Sequence, residues 1–357
     1  MKTAIVGLPM VGKTSLFTIL TGVHESTRMG TMEARAGVTK IPDPRLDALA
    51  RIFEPPKVTH ASLEYFDFPS INKEALREPS YLASLRVADA IAHVVRVFDS
   101  DSIPHEKGDV NPERDIDDVD TELILSDLVV VEKRLERLEK DRKKIKDQGL
   151  DREYELLQQA RACLEENRPL RTLTLEGEDE KRLRGFQFLS LKPILYVLNL
   201  GEEDASRLSA VEQEYRDKLL PTRPGADVAA ICGNIEAELV ELSAAEAAEY
   251  LASYGLPDSG LHRLINATYR VLGLMSFLTA GETEVRAWTV PINSTAPKAA
   301  GAIHSDFEKK FIRAEVVNWQ ALVEHNGYPG VREKGLLRLE GKEYIVKDGD
   351  VLVIRHG

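Results

Sequence analysis

Nine residues near the start constrain this chain more than any others. Gly7-Leu8-Pro9-Met10-Val11-Gly12-Lys13-Thr14-Ser15 contains the spacing Gly-x-x-x-x-Gly-Lys-Thr. It stands between an apolar run at 3–6, which reads as a buried strand, and Leu16, Phe17, Ile19 and Leu20, whose spacing predicts a helix stopped by Gly22. Strand, glycine loop and helix in that order are the context a phosphate loop requires. The backbone N–H groups of such a loop and of the helix start cradle phosphates. Gly7, Met10, Val11, Gly12, Lys13, Thr14 and Ser15 are therefore the candidate phosphate-binding residues. Lys13 would neutralise β- and γ-oxygens, and the Thr14 hydroxyl would bind Mg²⁺.

A phosphate loop implies partners elsewhere in the chain. Residues 62–66 read as a strand that ends at Asp67, where a carboxylate can hold a magnesium-bound water. Thr31, in the polar stretch 24–36, is placed to complete the metal shell as a switch threonine. Asn199-Leu200-Gly201-Glu202 follows the apolar strand 193–198, where a GTPase shows Asn-Lys-x-Asp. Glu202 stands in for the aspartate that accepts two N–H bonds from guanine, and Leu200 replaces the lysine, which weakens the case for GTP.

The remaining pattern alternates strands (90–98, 193–198, 227–232) with helices (45–53, 236–251), implying a doubly wound, mostly parallel α/β sheet. Residues 120–167 break that pattern. Leu128, Val131, Leu135 and Leu138 form a narrow apolar stripe, Gly149 interrupts it, and Leu157, Ala160 and Leu164 supply a second. An antiparallel helical hairpin inserted in the α/β domain is the expectation. The last ~80 residues read as a small α+β domain: a strand at 284–290, helices at 299–310 and 319–326, and strands at 343–345 and 351–354 joined as a hairpin through Asp348-Gly349-Asp350. The 357 residues suffice for two or three domains. The expected boundaries are 1–118 with 177–273 for nucleotide binding, 119–176 for the hairpin and 274–357 for the C-terminal domain.

Taken together, these residues resemble the Obg-like ATPases, also called the YchF family. Besides the phosphate loop, the resemblance rests on Pro42-Asp43-Pro44-Arg45-Leu46, Asp89-Ala90-Ile91-Ala92-His93-Val94-Val95-Arg96, Thr121-Glu122-Leu123-Ile124-Leu125-Ser126-Asp127-Leu128, Phe277-Leu278-Thr279-Ala280-Gly281 and Glu284-Val285-Arg286-Ala287-Trp288-Thr289. The resemblance implies a P-loop GTPase-type domain, a coiled-coil hairpin and a C-terminal TGS-like domain. It implies ATP in preference to GTP, through Asn199 and Glu202. Thr31-Met32-Glu33 aligns with the family's switch threonine, and His105 with a loop histidine proposed to assist hydrolysis. Three departures stand out. Met10 replaces an asparagine associated with potassium, Ser70 replaces the glycine of Asp-x-x-Gly, and the stretch from Asp67 to Asp89 is about four residues shorter than in the family. Ile71 occupies the position of the usual catalytic glutamine, apolar in the family as well.

Composition narrows the partners. A net charge of −12 excludes an overall basic nucleic-acid binder while leaving room for a local patch, such as Lys140–Lys146 near the hairpin turn. No apolar run reaches the ~18–20 residues that span a bilayer. Cys163 and Cys232 are far apart and outside any CxxC spacing, so a reducing cytoplasm is the simplest reading. His93 reads as a core histidine, and Trp288 and Trp319 as packing residues of the C-terminal domain. The expectation is a magnesium-dependent, slow ATPase acting on the ribosome or RNA through the hairpin tip and TGS-like domain. The alternatives are a nucleotide-sensitive docking module with little turnover, and an interaction protein with a vestigial loop.

Overall fold

The computed structural model describes residues 1–23, 34–72, 74–175 and 177–357. Thr31 lies outside the described residues. The chain forms two compact units, Met1–Val38 with Glu64–Val271, and Thr39–Leu63 with Leu272–Gly357. Residues 39–63, assigned from sequence to the nucleotide domain, thus pack with the C-terminal segment.

The first unit is built on strands β1 (Lys2–Val6), β2 (Arg35–Lys40), β4 (Ser62–Asp67), β5 (Ala90–Arg96), β6 (Ile194–Asn199) and β7 (Ala226–Ile231), in the order β2-β4-β1-β5-β6-β7. The strands β4, β1, β5, β6 and β7 pair in parallel. β5 and β6 are buried along their whole length, because helices cover both faces of the sheet. Parallel strands align their C-terminal ends, so the phosphate loop after β1, Asp67 at the end of β4 and Asn199 at the end of β6 share one edge.

Helix α1 (Lys13–Thr21) follows the loop, and α2 (Pro44–Phe53) begins at an Asp43 cap. α3 (Pro79–Arg86) precedes β5. The hairpin is α4 (Pro112–Arg142) and α5 (Gln148–Glu165). Val131, Leu135 and Leu138 pack with Leu156, Leu157, Ala160 and Leu164, and Arg134 forks onto Glu153 at 2.7 and 3.0 Å. The hairpin turns at 143–147 rather than at Gly149. Asp147 accepts the N–H groups of Gly149 and Leu150, so the glycine sits inside the first turn of α5.

Two single-helix expectations split. The run 236–251 is two helices, Gly233–Leu239 and Ala244–Ser253, because Ser243 and Glu246 form a capping box that starts a new helix. The run 299–310 is Ala296–Ile303 and Ser305–Lys309, separated by the extended backbone of His304.

The second unit carries β3 (Val58–Thr59), β8 (Leu274–Ala280), β9 (Val285–Pro291), β10 (Phe311–Asn318), β11 (Arg338–Glu340) and β12 (Asp350–His356), ordered β11-β10-β12-β8-β9-β3. The expected hairpin of 343–345 with 351–354 does not form. Ile345 makes a single bridge to Thr295, while β12 pairs antiparallel with β10 and parallel with β8. The Asp348–Asp350 turn is instead a brace: Asp348 accepts Ser276 N–H, and Asp350 accepts Tyr344 O–H and Lys347 N–H. Gly349 has φ +80°, and a Cβ there would meet Trp319 at 2.7 Å. Trp288 donates to Thr279 and stacks on Phe277. Among the described residues no helix is long and apolar enough to cross a membrane, and both cysteines are free and buried.

Candidate functional site

The loop from Gly7 to Gly12 is folded as a cradle by its glycines. Gly7 has φ +153°, and a Cβ there would lie 2.5 Å from Val94 O. Gly12 has φ +98°, and a Cβ there would lie 2.5 Å from Asn199 Nδ2. Both positions exclude side chains on contact as well as on dihedral grounds. Met10 adopts φ +59° at the tip of the loop and is exposed.

Gly12 is also the residue before α1, and it supplies no capping side chain. By contrast, α2, α4 and α5 are closed by Asp43, Asn111 and Asp147. α1 therefore presents uncapped N–H groups, and the positive end of its dipole, at the edge where Thr14 and Ser15 are exposed. An anion is the ligand such a terminus accepts.

Lys13 is buried. Its ammonium donates to Leu8 O at 2.6 Å and Ser70 Oγ at 3.1 Å. Burial pushes its pKa down to about 8, against the opposing pull of Asp67 and Glu106. Ser70, which replaces a glycine by resemblance, is thus a partner of the loop lysine. Ile71 is buried, with its N–H donating to Gly7 O, and Phe68 N–H donates to Ile5 O, so the segment after Asp67 is pinned to the loop.

Thr14 Oγ1 donates to Asp67 Oδ2 at 3.0 Å. Asp67 Oδ1 is buried without a hydrogen-bond partner. A hydroxyl and a carboxylate in contact, with a spare carboxylate oxygen, fit a hard cation that keeps several waters and shares phosphate oxygens. Among the described residues no group of three His, Cys, Asp or Glu could hold a metal by protein ligands alone.

Beside the loop lies a cavity of about 600 Å³ lined by Met10, Gly12, Ser15, Asn199, Leu200 and Glu202, among others. Asn199 is spent on structure, with Nδ2 donating to Val11 O and Oδ1 accepting Gly233 N–H, both at 3.0 Å. It ties the phosphate loop to the start of the Gly233–Leu239 helix. Leu200 is buried in the wall, and Glu202 is exposed, accepting from Asn234 Nδ2 at 3.1 Å.

His105 does not face open solvent. Lys107 N–H donates to its Nδ1, which leaves the Nε2 proton to Asp115 Oδ2 at 2.9 Å. Both ring nitrogens are engaged. Arg35 is the residue that sequence reasoning missed: it pairs with Asp67 and packs over the Phe17 ring. Nothing in its local sequence separates it from a solvated arginine in a polar loop.

Comparison with known proteins covers the whole chain. The family model for 50S ribosome-binding GTPases matches residues 2–141, and that for the YchF-GTPase C-terminal region, described as a protein of unknown function (DUF933), matches residues 274–357. The ribosome-binding ATPase YchF of Pasteurella multocida is 41% identical over 363 residues, covering 99% of this chain and 98% of that protein. Its namesake in Bacillus subtilis is 39% identical over 362 residues, covering 99% of both. The solved structure of the Schizosaccharomyces pombe YchF GTPase superposes with a TM-score of 0.83 at 28% identity, over 99% of this chain and 97% of that one.

Proposed function

The chain belongs to the YchF family, and on that premise we propose that it is an ATP-binding P-loop protein of the ribosome that hydrolyses ATP slowly. The observation that carries the reading is the uncapped start of α1, which opens into the cavity bounded by Glu202. The relatives' printed name, ribosome-binding ATPase, supports both the nucleotide and the partner. A ribosome partner implies work in the cytoplasm.

The chain's own residues divide the work simply. The N–H groups from Gly7 to Ser15 hold the phosphates, and Lys13 neutralises them. Thr14, Asp67 and, by resemblance, Thr31 would hold Mg²⁺, which when bound neutralises charge on the β- and γ-phosphates. Asn199 keeps the loop against the cavity, where Glu202 would read the base. Catalysis in such a site is mostly positioning and charge stabilisation. Buried Ile71 cannot activate water; by resemblance His105 would orient it, and for that its ring must first leave Asp115. The hairpin tip and the TGS-like domain are the elements proposed to dock on the ribosome or its RNA. Lys143, Lys144 and Lys146 are exposed at that tip.

A second reading, a docking module with little turnover, is favoured by the engaged ring of His105. Phosphate release by wild type and His105→Ala, in matched sodium and potassium buffers, separates the two. Slow release is expected, unchanged by potassium because Met10 offers no cation ligand, and lower by about tenfold or more in the variant. Wild-type release no faster than the protein-free control assigns the chain to the docking module, whereas release that is measurable and equal in the two proteins removes His105 from hydrolysis. Co-sedimentation with ribosomes tests the partner, and absence from the ribosomal fraction with and without ATP contradicts it.

A further inference from the structure

Asp67, the carboxylate assigned above to the metal, already holds a cation. Arg35, the first residue of β2, places Nη2 against Asp67 Oδ2, the same oxygen that accepts from Thr14 Oγ1. Its guanidinium carbon lies 5.2 Å from the Phe17 ring centroid. The Arg35 side chain is 15% exposed and that of Asp67 5%, so this is an enclosed pair and not a surface contact. A carboxylate withdrawn from water this far needs a positive partner, and removing that partner leaves an uncompensated charge. Oδ1 stays buried without a hydrogen-bond partner. The second cation facing this carboxylate, Lys13, acts through space. One carboxylate already contacted by a guanidinium is a poor site for a further divalent ion unless the guanidinium withdraws.

We propose that Arg35 is an internal counter-cation for Asp67, and that Arg35 and Mg²⁺ compete for this one carboxylate. Without metal, Arg35 neutralises Asp67 through the same oxygen that accepts from Thr14. Metal-bound nucleotide then enters by displacing the guanidinium. The inference rests on the nucleotide reading above. Arg35 therefore sets how strongly magnesium assists nucleotide binding.

The test is calorimetric titration of ADP, which avoids turnover, into wild type, Arg35→Gln and Arg35→Lys, each in EDTA and in millimolar Mg²⁺. The readout is the ratio of the two affinities. Arg35→Gln is expected to raise the magnesium-to-EDTA ratio by about tenfold over wild type, whereas Arg35→Lys, which keeps a cation, stays near wild type. A second measurement needs only folded wild type. Arginine-selective ¹⁵N NMR, with the Arg35 signal identified by its loss in Arg35→Lys, should show that signal shifting with magnesium-ADP and staying in place with ADP in EDTA. Equal ratios in the three proteins, or an Arg35 signal unmoved by magnesium-ADP, overturn the competition while leaving nucleotide binding intact. Failure of wild type to bind ADP at all overturns the nucleotide reading and this inference with it.

Discussion

Lys13→Ala is expected to lose ATP affinity by a hundredfold or more, about 2.8 kcal/mol, in a protein that remains folded. On the proposed reading the ammonium meets the phosphates directly, and charge-assisted hydrogen bonds to phosphate are among the strong ones. Folding does not depend on it. Its partners are one carbonyl and one hydroxyl, and Asp67 keeps both Arg35 and Thr14 when the lysine is gone. The melting temperature should stay within a few degrees of wild type. The same lysine gives wild type a pH signature. Burial holds its pKa at about 8 in the empty protein, and bound phosphates raise it. Below pH 8 the lysine is already charged and affinity is flat with respect to this group. Above pH 8 binding must take up a proton, so affinity falls. Calorimetry in buffers of different ionisation enthalpy reads that uptake directly, and its absence in Lys13→Ala assigns it. Retained ATP affinity in a folded Lys13→Ala protein would remove the phosphate-loop assignment.

The largest loss of stability is expected at Asp127. This carboxylate is fully buried on α4, where Oδ1 accepts Arg86 Nη1 at 2.9 Å and Leu189 N–H at 3.0 Å, and Oδ2 accepts Ser190 N–H at 2.7 Å. It ties α3, the hairpin and the return segment before β6 into one joint. Asp127→Ala leaves two buried N–H groups without their acceptor and the Arg86 guanidinium, which keeps Gln187 O and Ser126 Oγ, without its counter-ion, a loss of about 3–5 kcal/mol. For a unit of this size that is roughly 10 °C in melting temperature. Asp127→Asn, which keeps one acceptor oxygen, should lose less. ATP affinity measured well below the transition should be unchanged in both, because no residue of the joint lines the nucleotide cavity. A melting temperature within about 2 °C of wild type for Asp127→Ala would contradict the joint.

The parts of this fold legible in sequence were those whose signal is local. The phosphate loop is one contiguous pattern, so strand, turn and helix could be placed from nine residues. The hairpin stripe was equally plain, because Val131, Leu135 and Leu138 repeat at helical spacing. Its turn was misplaced by giving Gly149 more weight than the Asp147 cap beside it. The Ser243-x-x-Glu246 box was a readable start signal that the apolar periodicity of 236–251 obscured. β10 was hidden for a different reason. Its pairing with β12 shifts register between Phe311 and Arg313, so the in-out alternation that marks a strand is interrupted. In the site, Lys13, Thr14, Asp67 and Glu202 were legible from type and position. Arg35 and the bracing role of Asn199 were not, because each depends on a residue brought near only by the sheet: Asp67 for the first, Val11 and Gly233 for the second. His105 could be named only through resemblance, since its contact with Asp115 carries no recognisable motif.

The central claim is that this phosphate loop serves ATP. Titration calorimetry of wild type with ATP and with GTP, in the same magnesium buffer, tests it most directly. Glu202, standing where a guanine-reading aspartate would be, predicts that ATP binds more tightly than GTP. GTP binding tenfold tighter than ATP, a difference of about 1.4 kcal/mol, or no binding of either nucleotide, would contradict it.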